Sequence, residues 1–312
     1  MIQGDRWLTP LGTPRRPARE SAMLDPRAQQ GGLQEPPTLP RGRRALLGLL
    51  RTDAWVAGGV GSLGWWVGDA LGHPASPYAL STLLCGTLVV YNLDHWRDER
   101  ADRAPVPSRP HLNRSLRLAL LSLGALGLAW GFVAEPELLL RALPAGAAGL
   151  LYGARTPGGA RLKDIPGAKA WIVAGAVTQA CLFVPLGSLA LSGQGAAVGA
   201  SLLALTALNA HCFDLRDVHL DEEAGTPSWV SRRGGGRSHR LLAVGAALAA
   251  SVFAGAAAWG WVPMAAPISL ALAGLSLLWV RPGASPERFG LFVDGWLWLP
   301  ATATLLASVL RA

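Results

Sequence analysis

Nine long apolar runs dominate the chain beyond residue 45, centred near Gly61, Leu88, Ala125, Ala147, Val177, Leu203, Ala247, Leu272 and Pro300. A helix of about 20 apolar residues crosses the ~30 Å hydrocarbon core of a bilayer, and the runs are that long or nearly so. Apolar residues make up 51% of the 312 and charged residues 15%, a balance that points to a polytopic membrane protein. Gly and Pro recur inside the runs, as at Pro144, Pro185 and Pro267. A packed membrane bundle absorbs such residues better than a soluble helix does. The run around Ala147 is the most interrupted, by Arg141 and Pro144. The expected fold class is an all-α integral membrane protein of about nine transmembrane helices.

The basic residues give an orientation, because cytoplasmic loops carry an excess of Lys and Arg. With the amino terminus inside, 26 of the 28 Lys and Arg fall on the cytoplasmic side, leaving only Arg141 and Arg311 opposite. The turns at 72–77, 135–137 and 192–194 carry none. The chain is therefore expected to have a cytoplasmic amino terminus, an odd number of spans and a place in the bacterial inner membrane. Despite a formal charge of +8, the basic residues lie between apolar segments and form no patch interleaved with aromatics, which argues against nucleic acid. Cys85, Cys181 and Cys212 show no paired spacing, so neither a disulfide framework nor a zinc site is indicated. Residues 1–45, rich in Pro, Arg, Gly and Gln, read as a disordered basic cytoplasmic arm without a signal peptide. Residues 46–312 form the membrane domain, and no second soluble domain is expected.

Two acidic clusters follow apolar runs. Asp94, Asp98 and Asp102 are spaced i, i+4, i+8; Asp214, Asp217 and Asp221 are spaced i, i+3, i+7. On a helix each triad makes one stripe. Stacked carboxylates repel, and a divalent cation removes the repulsion. Mg²⁺ suits hard oxygen ligands and is usually held by one or two protein carboxylates together with substrate phosphates. Arg97, Arg109, Arg155, Arg161, Lys163 and Arg216 sit where a diphosphate would need cationic donors. Charge runs at helix ends also arise as solvated caps, but two clusters with matched spacing favour a shared metal–phosphate site.

These residues resemble the two aspartate-rich motifs of the UbiA superfamily of intramembrane prenyltransferases. Asp94, His95, Asp98 and Asp102 take the positions of the first motif, with Arg109-Pro110 behind it; Asp94 and His95 stand where the family usually has Asn and Asp. Asp214-Leu-Arg-Asp217 through Asp221 resembles the second motif, and Tyr152, Arg155 and 162–167 resemble the family's tyrosine and basic loop. The resemblance spans roughly residues 50 to 310. It implies a bundle with a central cavity and Mg²⁺-dependent ionisation of an isoprenoid diphosphate, followed by capture of the allylic cation by an acceptor. It also implies Asp98, Asp102, Asp217 and Asp221 as catalytic metal ligands, supported by Asp94 and Asp214. An intramembrane terpene cyclase and a non-catalytic isoprenoid carrier are the rival expectations.

Outside the motifs, Trp65, Trp66, Trp259, Trp261 and Trp279 lie near predicted span ends and read as an interfacial belt. Asn92 and Asn209 precede the triads and are placed in the cavity wall, bonding substrate or a neighbouring helix. His211 and His219 flank the second motif as helix-end histidines with a structural role. Asp294, inside the last run, should face the cavity or a partner.

Overall fold

The computed structural model describes residues 48, 52–101, 114–154, 161–165, 167–218, 228–285 and 288–311, with the side chains of 98–101 and 164 outside that set. The arm, Asp102, Arg109, Arg155, His219 and Asp221 lie outside the described residues. Among the described residues the chain is helical and contains no strand. Its longer elements are α1 (Ala54–Ala70), α2 (Pro77–Ala101), α3 (Arg114–Ala134), α4 (Glu137–Tyr152), α5 (Ala168–Leu186) and α6 (Gly193–Arg216). A short α7 (Trp229–Arg233) leads into α8 (Gly235–Ala258) and α9 (Ala265–Ser276). A π turn (Phe289–Val293) and a 3-10 turn (Asp294–Trp298) then lead into α10 (Leu299–Val309). Each centre of an apolar run falls within one of these segments.

Among the described residues, five segments are long and apolar enough to cross a membrane: Arg114–Ala134, Ala168–Leu191, Gly193–Arg216, Gly235–Ala258 and Phe289–Val309. The others fall short for different reasons. With 17, 16 and 12 residues, α1, α4 and α9 are at most about 26 Å long at 1.5 Å per residue, under the ~30 Å core. At 25 residues, α2 is long enough, but its last two turns carry the first acidic motif.

Side-chain burial orders the segments. The most apolar windows of α8 and α3 are only 11% and 17% buried, against 61% for α6. Leu123, Leu126 and Val133 of α3 and Leu248 and Val252 of α8 are exposed, which suits a lipid-facing surface, since hydrocarbon exacts no penalty for apolar side chains. The inner element, α6, packs against α5, α8 and α9. On the α2–α3 seam, β-carbons added at Gly124, Gly127 and Gly131 would collide with Val89, Cys85 and Thr82, so small residues set the close approach.

The interruption at Arg141 is accommodated by partners. Its guanidinium pairs with Glu137 Oε2 at 2.7 Å and donates to Val184 O at 3.4 Å, while its carbonyl accepts from Gln179 Nε2 at 3.0 Å. Gly187, at φ 56°, leaves room where a β-carbon would strike that guanidinium.

α6 ends at Arg216 and Asp217 occupies its C-cap at φ −93°, ψ 6°; Asp221 lies outside the described residues. One expectation is corrected. Trp66 is not an interfacial residue: it is 1% exposed, packed in the core with Leu63 and Val67, whereas Trp259, Trp261 and Trp279 are exposed. An apolar ring on the inward face of α1 gains more from close packing than from the headgroup region.

Candidate active site

The carboxyl-terminal ends of α2 and α6 and the amino-terminal end of α5 bring both acidic clusters to lysine partners. In the first cluster, Lys163 Nζ lies 3.1 Å from Asp94 Oδ1 and 5.7 Å from the centroid of the Tyr152 ring. Arg97 donates to Leu150 O at 2.7 Å, which ties the end of α2 to the end of α4. Thus Asp94, Arg97, Tyr152 and Lys163, separated by up to 69 positions, meet in one place. Arg161 is half-buried two residues before Lys163. Asp98 lies in the last turns of α2.

In the second cluster, Asp214 and Asp217 are 2% and 5% exposed. Arg216 binds Asp217 through two hydrogen bonds, Nε to Oδ1 at 2.7 Å and an Nη to Oδ2 at 3.0 Å. This charge-assisted fork fixes both groups, and Phe213 lies 4.7 Å from the guanidinium carbon. Lys169 stands between the two carboxylates, 3.5 Å from Asp214 Oδ1 and 3.9 Å from Asp217 Oδ2. His211 faces Asp214 Oδ2 at 3.8 Å and packs edge-on against Trp171.

Further charged and polar groups outside the motifs act on them. Asp53, immediately before α1, lies 3.1 Å from His95 Nδ1 on α2. Asp294 is within electrostatic range of both Asp53 and Arg216, and Tyr91 is within range of Asp294, Asp53 and Asp94.

Asn92 and Asn209 are buried and bind backbone: Asn92 Nδ2 donates to Leu88 O at 3.0 Å and Asn209 Nδ2 to Val293 O at 2.6 Å. Both amide nitrogens thus hold the scaffold, and Asn92 Oδ1 accepts no hydrogen bond.

Sequence reasoning passed over Asp53, Tyr91 and Lys169, and one of them carried a signal. Lys169 is the second residue of α5, where the helix dipole disfavours a cation; its carboxylate partners explain it. Asp53 adopts φ 58°, a left-handed conformation uncommon for a residue other than Gly. Tyr91 offered no signal beyond its place one turn before Asp94.

Among the described residues, no three His, Cys, Asp or Glu side chains are gathered as a metal cage. The residues nevertheless fit a hard divalent cation in the mode that needs only one or two protein carboxylates. Asp214 Oδ1 is buried and accepts no hydrogen bond, and Asp217 is its neighbour across Lys169. No family model matches the chain, and no curated protein matches it either.

Proposed function

We propose that this chain is an intramembrane prenyltransferase of the UbiA type, which transfers a prenyl group from an isoprenoid diphosphate to an acceptor within the bilayer. In this reading its helical segments form a bundle of nine spans with a cytoplasmic amino terminus and a central cavity. One observation carries it: each acidic cluster holds a lysine from the segment before or at the start of α5, Lys163 on Asp94 and Lys169 on Asp214 and Asp217. Carboxylates and cations interleaved in this way are matched to a ligand that brings both signs, a diphosphate with its counter-cation.

Asp94, Asp98 and Asp102 on one side and Asp214, Asp217 and Asp221 on the other would hold Mg²⁺, which when bound neutralises the diphosphate as a leaving group. Lys163 and Lys169 then turn from the carboxylates to phosphate oxygens. Arg216, oriented by its fork on Asp217, presents its remaining N–H groups to the same anion. Arg97, Arg109, Arg155 and Arg161 supplement the positive field. These donors stabilise the charge that grows on the diphosphate as the carbon–oxygen bond breaks.

The test uses the full chain in nanodiscs with geranyl, farnesyl or geranylgeranyl diphosphate. The expected result is Mg²⁺-dependent diphosphate release, with water capturing the allylic cation and losing a proton when no acceptor is added, that disappears in Asp217→Asn; no release from any of the three donors overturns the proposal. The bundle has its own check. Single cysteines at Ser192 and Gly236, added to a chain whose native cysteines are buried, should react with an impermeant thiol reagent from opposite faces.

A further inference from the structure

The cations of the two acidic clusters are engaged, Lys163 by Asp94, Lys169 by Asp214 and Asp217, and Arg216 by Asp217. A second group of cations has no such partner. Arg232 and Arg233 end α7, and Arg237 and Arg240 stand in the first turns of α8; all four are exposed. Trp229, which starts α7, lies 5.6 Å from His211 between ring centroids, so the group sits at the end of the bundle that carries the second cluster. No Asp or Glu occurs in residues 228–241 or 276–285. Among the described residues none of these arginines makes an ion pair with a carboxylate.

The fold adds a fifth arginine from beyond α9. His239 Nε2 lies 2.8 Å from Leu277 O and 3.0 Å from Val280 O, and a β-carbon added at Gly235 would lie 3.3 Å from Pro282. These contacts hold the chain on both sides of Arg281 against the first turns of α8. Arg281 is exposed, and its Nε donates to Leu278 O at 3.0 Å. Past the arginines the same two segments turn apolar and stay exposed. Leu241, Val244 and Leu248 of α8 are 43%, 55% and 62% exposed, and Leu278 and Trp279 are 58% and 60% exposed. Arg237, Leu241, Val244 and Leu248 follow one another at four, three and four residues, which is a single helical face. The helices touch, since a β-carbon added at Gly274 of α9 would lie 3.0 Å from that of Ala246 of α8. The α8–α9 edge therefore presents guanidinium groups at one end and hydrocarbon along its length, with the Trp279 indole near the junction, where the bilayer interface favours Trp.

We infer that this edge binds an anionic phospholipid, its phosphodiester held by Arg237, Arg240 and Arg281 and its acyl chains lying along Leu241, Val244 and Leu278. A guanidinium matches two phosphate oxygens at once. Basic groups beside a membrane helix attract anionic lipids, and Arg232 and Arg233 add to the field. A zwitterionic head group carries its own ammonium into that field and is disfavoured. A bias of basic residues toward the cytoplasm asks only that they lie on one side of the membrane; it does not ask for a carboxylate-free group above the exposed apolar edge of two touching helices. The inference goes beyond the prenyl-transfer reading and rests only on the chain's place in a bilayer.

The test titrates the full chain in neutral detergent with dioleoyl phosphatidylglycerol or dioleoyl phosphatidylcholine and counts bound lipid by native mass spectrometry. Saturable binding of phosphatidylglycerol is expected, at least tenfold tighter than that of phosphatidylcholine, a comparison that needs no variant. Arg237→Gln and Arg281→Gln, at exposed positions, should each weaken phosphatidylglycerol about fivefold and together at least tenfold. Arg114→Gln, which removes one exposed charge from the start of α3, should leave it unchanged. Equal affinity for the two lipids, undiminished binding in the Arg237→Gln/Arg281→Gln protein, or an equal loss in Arg114→Gln overturns the inference. Displacement of the lipid by inorganic phosphate at the lipid's own concentration also overturns it and assigns the arginines to a free anion.

Discussion

The carboxylates at the end of α6 are more deeply enclosed than those at the end of α2. Asp214 and Asp217 retain 3% and 7% of their side-chain surface, whereas Asp94 retains 19%. Their partners differ in kind as well. Asp217 has a two-point guanidinium fork from its own neighbour and shares Lys169 with Asp214; Asp94 has an ammonium delivered by the 161–165 segment. The first arrangement is preorganised by the end of a buried helix. The second depends on where a connecting segment settles. The depth of a charge, more than its spacing along the chain, decides how strongly it is bound to the scaffold.

The largest expected effect follows from that depth. Asp217→Ala leaves Arg216 without its fork in a buried setting and should cost about 3–5 kcal/mol of unfolding free energy, with loss of diphosphate release. Asp94→Ala should cost about 1 kcal/mol, since the Lys163 pair keeps some solvent contact. Denaturation of the detergent-solubilised variants measures both, and equal costs would break the contrast between the clusters.

Next come the lysines. In the prenyl-transfer reading proposed above, Lys169→Gln and Lys163→Gln should each raise the KM for an allylic diphosphate at least tenfold, because each would remove a contact to the diphosphate. Lys169, set between two carboxylates, is expected to have the greater effect. An unchanged KM in both variants would move the anion elsewhere.

Gly153→Ala sharpens the comparison from the other side. The added methyl would collide with Asp94 Oδ1 and displace it from Lys163, so activity should fall about tenfold, a loss in the range expected for misplacement of a site group. Donor affinity at the second cluster should not change. The smallest effect is expected at His95, whose ring faces Asp53 rather than the carboxylates of its own motif. His95→Ala should be milder than Asp98→Asn, and His95→Asp should retain turnover with an equal or lower Mg²⁺ requirement, read from a Mg²⁺ titration. A His95→Ala loss as deep as that of Asp98→Asn would assign the Asp53–His95 pair a direct part in the reaction.

The Asp-Leu-Arg-Asp run marks the second acidic cluster in the chain, and the Tyr152 and Lys163 positions that resemble a family motif are the ones the structure gathers at Asp94. Lys169 was missed because a lone lysine at the start of an apolar run looks like an interfacial anchor until its partners, 45 and 48 residues away in sequence, come within reach. Spacing alone does not reveal a helix end, and only the structure shows that α6 stops at Arg216 with Asp217 as its C-cap. Trp66 was misplaced because proximity to a span end says nothing about which face of α1 points inward.

The sequence by itself determined the class: runs of this length and hydropathy form helices, since a helix satisfies its own backbone hydrogen bonds wherever water is scarce. It also determined that acid would gather at the ends of α2 and α6, because the composition there is local. Only the tertiary structure decided which carboxylates are buried, which cation each one holds, that Asp53 meets His95, and that Asp294 acts on Arg216. Those outcomes depend on distances between residues far apart in the chain. Such distances are set by the packing of many side chains at once, which no local pattern encodes.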